Sequence, residues 1–207
     1  MRHVRLVIVR EARRMPSADA VATALAPLTA TDRQRFEMLP AARRARFLAG
    51  RTALRAAASE LTGVDAAAIR IEATCPDCGR SHGRPTVQGE PAVFLSLGHG
   101  SGIAVAIAGH VPVGIDLEPR DTSSARIRAI RTVADSAGRD ALRHWVRTEA
   151  VLKADGRGLR VDPARVVVRG RTAEITGSRP LQRYRLRRID VHGHIGSIAC
   201  AVIDRGP

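Results

Sequence analysis

The stretch Val113–Pro119, VGIDLEP, alternates apolar and polar residues as a β-strand with two different faces does. Its apolar residues point to one face, and Gly114, Asp116 and Glu118 point to the other. We expect the apolar face to enter a core and the two carboxylates to stand about 7 Å apart on an exposed face. Gly114 would let a ligand approach the backbone. Two acids at a solvated strand end are also common, so the stretch alone leaves both interpretations open.

Outward from this strand, the pattern of the chain is that of an α+β protein. Short apolar runs separated by glycine or polar residues predict strands, and longer runs with a 3.6-residue period predict helices that Gly63 and Gly156 terminate. Strands are expected at about 3–10, 92–97, 102–108, 165–169, 172–176, 183–191 and 195–203, and helices at 17–26, at 40–61 and across 125–155. Residues 75–91 predict a loop. Each half has helices followed by strands, which predicts a division into residues 1–110 and 111–207.

The composition supports a packed globular protein. Of the 207 residues, 44% are hydrophobic, which is enough for a core in a chain of this size. No stretch approaches the roughly 20 apolar residues of a membrane span. The first ten residues read as an edge strand and not as a signal peptide. Three cysteines do not make a disulfide framework, so the reducing cytoplasm is the expected location.

The net charge of +14 points to an anionic partner. Nucleic acid, a phosphorylated small molecule and an acidic protein all fit this charge. The chain has neither a compact basic helix nor basic residues interleaved with stacking aromatics. A nucleic-acid-binding module is therefore the less favoured interpretation, although it stays open.

A second group of charged residues lies on the helix expected before Gly156. Trp145, Glu149 and Lys153 recur at i, i+4 and i+8, on one stripe, and Lys153 is the only lysine among 34 Lys and Arg residues. The plain alternative is a surface pair between Glu149 and Lys153. Together with Asp116 and Glu118, however, Glu149 would make a three-carboxylate site for a hard cation such as Mg²⁺, with the lysine ammonium at hand for a phosphate.

These motifs together resemble the Sfp-type 4′-phosphopantetheinyl transferases, of the holo-acyl-carrier-protein synthase superfamily. The family signature G-[IVL]-D-x-E stands here as Gly114–Glu118, and W-x-x-K-E-A-x-x-K as Trp145–Lys153, WVRTEAVLK. HGRP, His82–Pro85, is similar to the family's G-K/R-P loop, and SLGHGS, Ser96–Ser101, to its phosphate-contacting segment. Arg46 falls where the family has an arginine that binds the 3′-phosphate. The resemblance implies a pseudo-twofold pair of similar α+β subdomains with the active site in the cleft between them.

The resemblance also implies a reaction and the residues that perform it. The enzyme would transfer 4′-phosphopantetheine from coenzyme A to a serine of an acidic acyl or peptidyl carrier protein, releasing 3′,5′-adenosine bisphosphate. Mg²⁺, with Mn²⁺ as a substitute, would bind Asp116, Glu118 and Glu149, and Glu149 would deprotonate the serine. Lys153 and His99, beside Gly98, would neutralise the pyrophosphate; Arg46 and the segment Arg84–Pro85 would hold the 3′-phosphate end. A monomer without membrane contact is expected.

The chain departs from the family pattern in three places. Thr148 replaces the first lysine of the helix motif, where Arg147 could compensate, and Gly98 and Gly100 replace hydroxyl residues beside the histidine. The segment 119–144 is short and lacks the aromatic residues that help to bind the carrier. A transferase-like protein turned to another reaction or to scaffolding is therefore a second alternative, and the carrier protein stays unnamed.

Cys75-Pro-Asp-Cys78-Gly reads as half of a zinc site. His82 follows closely, but only Cys200 remains to complete a set of cysteine ligands, and it lies more than a hundred residues further along. The sequence favours a plain turn over structural zinc.

Overall fold

Two antiparallel five-stranded sheets organise the chain, one in each of two units, Met1–His110 and Val111–Pro207. The computed structural model describes residues 4–10, 18–133, 140–178, 181–191 and 193–203. Helices and antiparallel strands occur in both units, which confirms the α+β class.

In the first unit the sheet has the strand order β1-β5-β4-β3-β2. Its elements are β1 Val4–Arg10, α1 Ala18–Leu25, α2 Ala30–Met38, α3 Ala41–Thr62, β2 Ile71–Glu72, β3 Thr86–Val87, β4 Phe94–Gly100 and β5 Ile103–Gly109. The first strand lies at an edge, as predicted. The predicted loop 75–91 is confirmed except for the two residues of β3.

In the second unit the order is β6-β10-β9-β8-β7. Its elements are β6 Val113–Pro119, α4 Ser124–Val133, α5 Ala141–Asp155, β7 Val166–Arg169, β8 Thr172–Ile175, β9 Arg183–Val191 and β10 His194–Ala201. Counted from the first strand of each unit, the two sheets have the same strand order. In each unit the helices stand between the first and second strands, so the two halves share one topology.

Helix α3 covers the first sheet with small side chains. Ala53, Ala57 and Ala58 are fully buried, together with Leu54, against the strands β4 and β5. A chain with five aromatic residues fills this interface with alanine, valine and leucine, which lets helix and sheet approach closely. Gly63 ends the helix in the left-handed conformation, at φ 76°, as predicted.

Helix α2 is the α-helix that the sequence analysis missed. Its sequence, ATDRQRFEM, has Phe36 as its only strongly apolar buried residue, so no amphipathic period appears. The helix is anchored by a buried ion pair instead: the Arg51 guanidinium of α3 donates to both carboxylate oxygens of Asp32, at 2.5 and 2.7 Å. Thr29 caps its N-terminus by accepting from the Asp32 N–H.

The helical pattern predicted across 125–155 corresponds to two helices, α4 and α5. The second ends at Asp155, and Gly156 follows at φ 90°, as predicted. Residues 134–139 lie outside the described residues. None of the helices among the described residues is both long enough and apolar enough to cross a membrane.

Candidate functional site

Strand β6 lies directly under helix α5, and Gly114 makes this possible. A Cβ atom at position 114 would overlap the carbonyl oxygen of Ala150 and crowd the N–H of Ala154. The face of β6 that carries Gly114, Asp116 and Glu118 is therefore covered by a helix, and the prediction of an exposed face with room for a ligand at Gly114 is wrong. Alternation along the strand distinguished its two faces but could not show that both are covered.

The same packing brings Lys153 onto Asp116. The Lys153 ammonium donates to Asp116 Oδ1 at 2.7 Å and to the main-chain oxygen of Ile115 at 3.1 Å. The Asp116 side chain is only 13% exposed and that of Lys153 is 30% exposed. The only lysine of the chain thus reaches across from the helix to the strand and forms a salt bridge with Asp116, which the alternative of a surface pair with Glu149 did not predict.

Glu118 also has a cationic partner, which the sequence analysis missed. Arg126 of helix α4 donates to Glu118 Oε1 at 2.6 Å, and its guanidinium lies 5.9 Å from the centre of the Trp145 ring. Trp145 is buried and packs against Ile130 and Ala141. The tryptophan therefore supports the arginine that pairs with Glu118. In a chain this rich in arginine, no sequence signal marks Arg126.

The third carboxylate, Glu149, is half-buried on α5 and close enough to the other acids to interact electrostatically. Burial raises the pKa of Glu149, and the negative charges of Asp116 and Glu118 raise it further, while Lys153 and Arg126 oppose this shift. Burial likewise raises the pKa of Asp116 against the opposing effect of Lys153. The three predicted metal ligands thus form one electrostatic cluster with two cations at its edges.

The donor set fits a hard divalent cation by its chemistry. All three side chains offer carboxylate oxygens, which Mg²⁺ prefers, and a dication would offset the burial and the like-charge repulsion that raise the pKa values of Asp116 and Glu149. Their oxygens are not yet gathered: among the described residues, the only three His, Cys, Asp or Glu donors that all lie within 4.8 Å of one another are Cys75, Cys78 and His82. Binding through all three acids would require Glu118 to exchange its contact with Arg126.

A basic cavity of about 720 Å³ opens one strand away from Asp116. Ser197 of β10 is paired in register with both Asp116 and Arg188, so the three residues share one sheet face. The Ser197 hydroxyl is buried and has no hydrogen-bond partner among the described residues. The charged residues lining the cavity are mostly cationic: Arg143, Arg147, Arg171, Arg187 and Arg188, with Asp140 as the one acid. His144 also lines the cavity, and burial together with the charge of Arg147 lowers its pKa.

The departure at Thr148 has a structural explanation. Thr148 is completely buried, and its hydroxyl has no hydrogen-bond partner in the described part of the chain. A lysine ammonium in this place would have to leave the interior to reach a phosphate. Arg147 donates to the main-chain oxygen of Gly170 and lines the basic cavity, so its cation lies beside that cavity.

The predicted site residues of the first unit occupy separate positions on its sheet and helix. Arg46 is exposed on α3. Arg84 is half-buried before β3, next to Pro85, with its guanidinium 5.3 Å from the centre of the Phe94 ring. Gly98 and His99 belong to strand β4, and the His99 ring lies against α3 at Gly50. Since Phe94 and His99 are at opposite ends of β4, Arg84 and His99 are not neighbours along this strand.

No family model matches the chain, and no curated protein matches it. The resemblance therefore rests on the motifs and on the geometry described above.

Proposed function

We propose that this protein is a 4′-phosphopantetheinyl transferase of the Sfp type, which modifies a serine of an acyl or peptidyl carrier protein. The observation that carries the proposal is the meeting of the two sequence motifs in the second unit. Helix α5 delivers Lys153 to within 2.7 Å of Asp116 and places Glu149 in the electric field of Asp116 and Glu118. Motifs that are separated by more than twenty residues of sequence converge on one charged cluster.

Three further features support the same function. The two units share one strand order, as expected for a fold made of two similar halves. The cavity beside Asp116 carries a concentration of arginines, which suits a ligand that bears phosphate groups. The net charge of +14 favours encounter with acidic carrier proteins.

The residues of the cluster have distinct tasks in this proposal. Glu149, whose pKa is raised, accepts the proton of the carrier serine hydroxyl. The serine oxygen forms a bond to the β-phosphorus of coenzyme A, and the bond from that phosphorus to the oxygen of the α-phosphate breaks. Lys153 stabilises the negative charge that develops on the departing 3′,5′-adenosine bisphosphate.

Asp116, Glu118 and Glu149 would hold Mg²⁺, or Mn²⁺ in its place, which supplies charge neutralisation for the pyrophosphate oxygens when bound. Lys153 forms a salt bridge with Asp116, and Arg126 forms one with Glu118, so each of these acids has a cation beside it before the metal binds. Burial raises the pKa of Asp116 and Glu149, and the positive charge of Lys153 opposes this rise at both residues.

The test is the modification of an apo-carrier. The purified chain is incubated with coenzyme A, Mg²⁺ and a panel of acyl and peptidyl apo-carriers, and intact mass spectrometry detects addition of one phosphopantetheine group. Chelation of the metal should stop the reaction, and restored Mg²⁺ should recover it. Asp116→Asn, which keeps the shape of the side chain, should bind coenzyme A without metal dependence and should not transfer.

Each negative result points to a different alternative. Metal-dependent binding of coenzyme A without transfer to any carrier would indicate a related protein turned to another reaction or to scaffolding. Retention on heparin that coenzyme A and Mg²⁺ do not change, together with no binding of coenzyme A, would favour a nucleic-acid-binding module.

A further inference from the structure

A group of two cysteines and one histidine lies in the first unit, between strands β2 and β3. The sulfur atoms of Cys75 and Cys78 and a ring nitrogen of His82 all lie within 4.8 Å of one another. Cys78 Sγ and His82 Nε2 are 3.0 Å apart. Cys75 is buried, whereas Cys78 and His82 are exposed, so the group is held by the loop on one side and reaches solvent on the other.

The loop backbone holds this group in a tight turn. The Cys75 N–H donates to the Arg80 oxygen at 2.8 Å, and the Gly79 N–H donates back to the Cys75 oxygen at 2.9 Å. Gly79 has a φ of 69°, a conformation that glycine adopts without strain. The turn therefore directs both cysteine side chains to the same side, which a plain surface turn does not require.

The donor types and spacing are those of a zinc site. Thiolate sulfur and imidazole nitrogen are soft to borderline ligands that select Zn²⁺ over Mg²⁺. In tetrahedral zinc, bond lengths of about 2.0–2.3 Å place neighbouring ligand atoms about 3.3–3.8 Å apart, so only a small closure of the group is needed. The Arg80 guanidinium donates to Cys78 Sγ at 3.5 Å, which favours the thiolate form that a metal binds.

We propose that Cys75, Cys78 and His82 bind one zinc ion, which fixes the loop between β2 and β3. The candidate for the fourth ligand of a closed, structural site is the Asp77 carboxylate, whose Oδ2 lies 3.8 Å from the Cys75 sulfur. Cys200, which the sequence offered as a remaining ligand, belongs to strand β10 of the other unit and is not part of this group.

The position of the group in the loop gives the metal a structural task. Directly after His82, the Gly83 N–H donates to the Ala73 oxygen at 2.6 Å, and a Cβ at position 83 would overlap the Thr74 oxygen. The chain thus closes on itself on both sides of the three ligands. Strands β2 and β3 are only two residues long, so the sheet alone anchors this loop weakly. A bound ion would supply the missing cross-link.

The proposal is tested on the full chain by metal content. The protein is produced without a histidine tag, purified under reducing conditions without chelator, and analysed by elemental mass spectrometry. We expect one zinc ion per chain, and cobalt substitution should give the intense thiolate-to-cobalt absorption of a tetrahedral site. Cys78→Ser and His82→Asn should each lose the zinc and the cobalt band.

Two matched controls separate the site from other thiols and histidines. Cys200→Ser and His110→Asn remove the same kinds of side chain elsewhere and should keep one zinc per chain. Chelator should lower the melting temperature of the wild type and leave that of Cys78→Ser unchanged, which detects the structural effect even if one variant is less stable. The readout does not depend on transferase activity.

Three results would overturn the proposal. The first is a wild type that remains metal-free after incubation with zinc. The second is zinc that persists in both Cys78→Ser and His82→Asn. The third is a disulfide between Cys75 and Cys78 in protein taken directly from a reducing cell.

Discussion

At the scale of single residues, substitution of Glu149 tests whether the acidic cluster is catalytic or only structural. In Glu149→Gln the proton acceptor and one metal-ligand charge disappear, while the shape of the side chain is kept. We expect turnover on an apo-carrier to fall ~10²–10⁴-fold, the range for loss of a general base. Normal melting together with near wild-type transfer would contradict the catalytic role.

Glu149→Gln also tests how the free energy of unfolding depends on pH in the absence of metal. Because burial and the neighbouring acids raise the pKa of Glu149 above its ordinary 4.5, the folded chain holds this proton to a higher pH than the unfolded chain does. Between the pKa of Glu149 in the unfolded chain and its pKa in the folded chain, the free energy of unfolding of the wild type therefore falls as the pH rises. Glu149→Gln avoids this loss. The stability of Glu149→Gln relative to the wild type should therefore increase from pH 4.5 upward. Urea denaturation at a series of pH values measures this difference. No increase is expected if the cluster is solvated.

Lys153 tests whether a compact ammonium is needed. Its Nζ fits between Asp116 Oδ1 and the Ile115 oxygen, at 2.7 and 3.1 Å, and a planar guanidinium is larger than this space. Lys153→Arg should lose roughly tenfold or more in turnover, which corresponds to a barrier increase of about 1.4 kcal/mol. Arg128→Lys, at an exposed position of helix α4 outside the cavity lining, is the matched control and should keep wild-type turnover. Equal turnover of Lys153→Arg and the wild type would show that any cation suffices.

Arg126 is predicted to compete with the metal for Glu118. Its side chain is 50% exposed, so the ion pair is worth about 1 kcal/mol at most. Arg126→Gln should therefore tighten Mg²⁺ binding by up to about fivefold, as measured by calorimetry with the metal alone. Arg128→Gln on the same helix removes an equal charge and corrects for the general change in field. Weaker Mg²⁺ binding in Arg126→Gln alone would mean that the arginine orients Glu118 for the metal.

At the scale of elements, the approach of helix α5 to strand β6 depends on the missing side chain of Gly114. A methyl group there overlaps the Ala150 oxygen, which belongs to the helix backbone and cannot turn aside. Gly114→Ala should cost ~1–3 kcal/mol or more in the free energy of unfolding, since overpacking forces backbone shifts. Gly158→Ala meets no atom within 4 Å but has a φ of 57°, so it measures left-handed strain alone, about 1–2 kcal/mol. A smaller cost for Gly114→Ala than for Gly158→Ala would contradict the close approach.

The elements that the sequence predicted well are those with a strong local signal. Helices α3 and α5 each end at a glycine with positive φ. Such an end is predictable because a single glycine is enough to terminate a helix in the left-handed conformation. Strand β9 alternates between exposed and buried residues over most of its length, and β10 is a nearly continuous buried run. The sequence predicted that the motifs carrying Lys153 and Asp116 could face each other. It could not predict the salt bridge itself, because tertiary packing sets the distance between the two residues.

What the sequence could not provide are features that depend on a partner element. Helix α2 is stabilised by the pair between Asp32 and Arg51, nineteen residues apart, and has no apolar period of its own. The covered face of β6 and the contact of Arg126 with Glu118 likewise exist only after α4 and α5 have packed. In a chain with 34 Lys and Arg residues, composition cannot distinguish the arginine that pairs with Glu118 from the others.

At the scale of the whole molecule, the net charge of +14 is predicted to act on the encounter with the carrier. Opposite charges attract over a Debye length, which falls from about 10 Å at 0.1 M salt to about 3 Å at 1 M. The value of kcat/KM for an acidic apo-carrier should therefore fall steeply with added NaCl. Turnover at saturating carrier should change little, because the bound complex is already formed.

The control for this prediction is a carrier whose surface acids, away from the modified serine, have been neutralised. With this substrate kcat/KM should start lower and depend weakly on salt, since steering needs charge on both partners. An equal salt dependence for both carriers would place the effect in the binding of coenzyme A, whose phosphates are screened in the same way. If neither carrier shows a salt dependence, the charge of the chain serves another anionic partner, and competition between nucleic acid and the carrier becomes the measurement that decides.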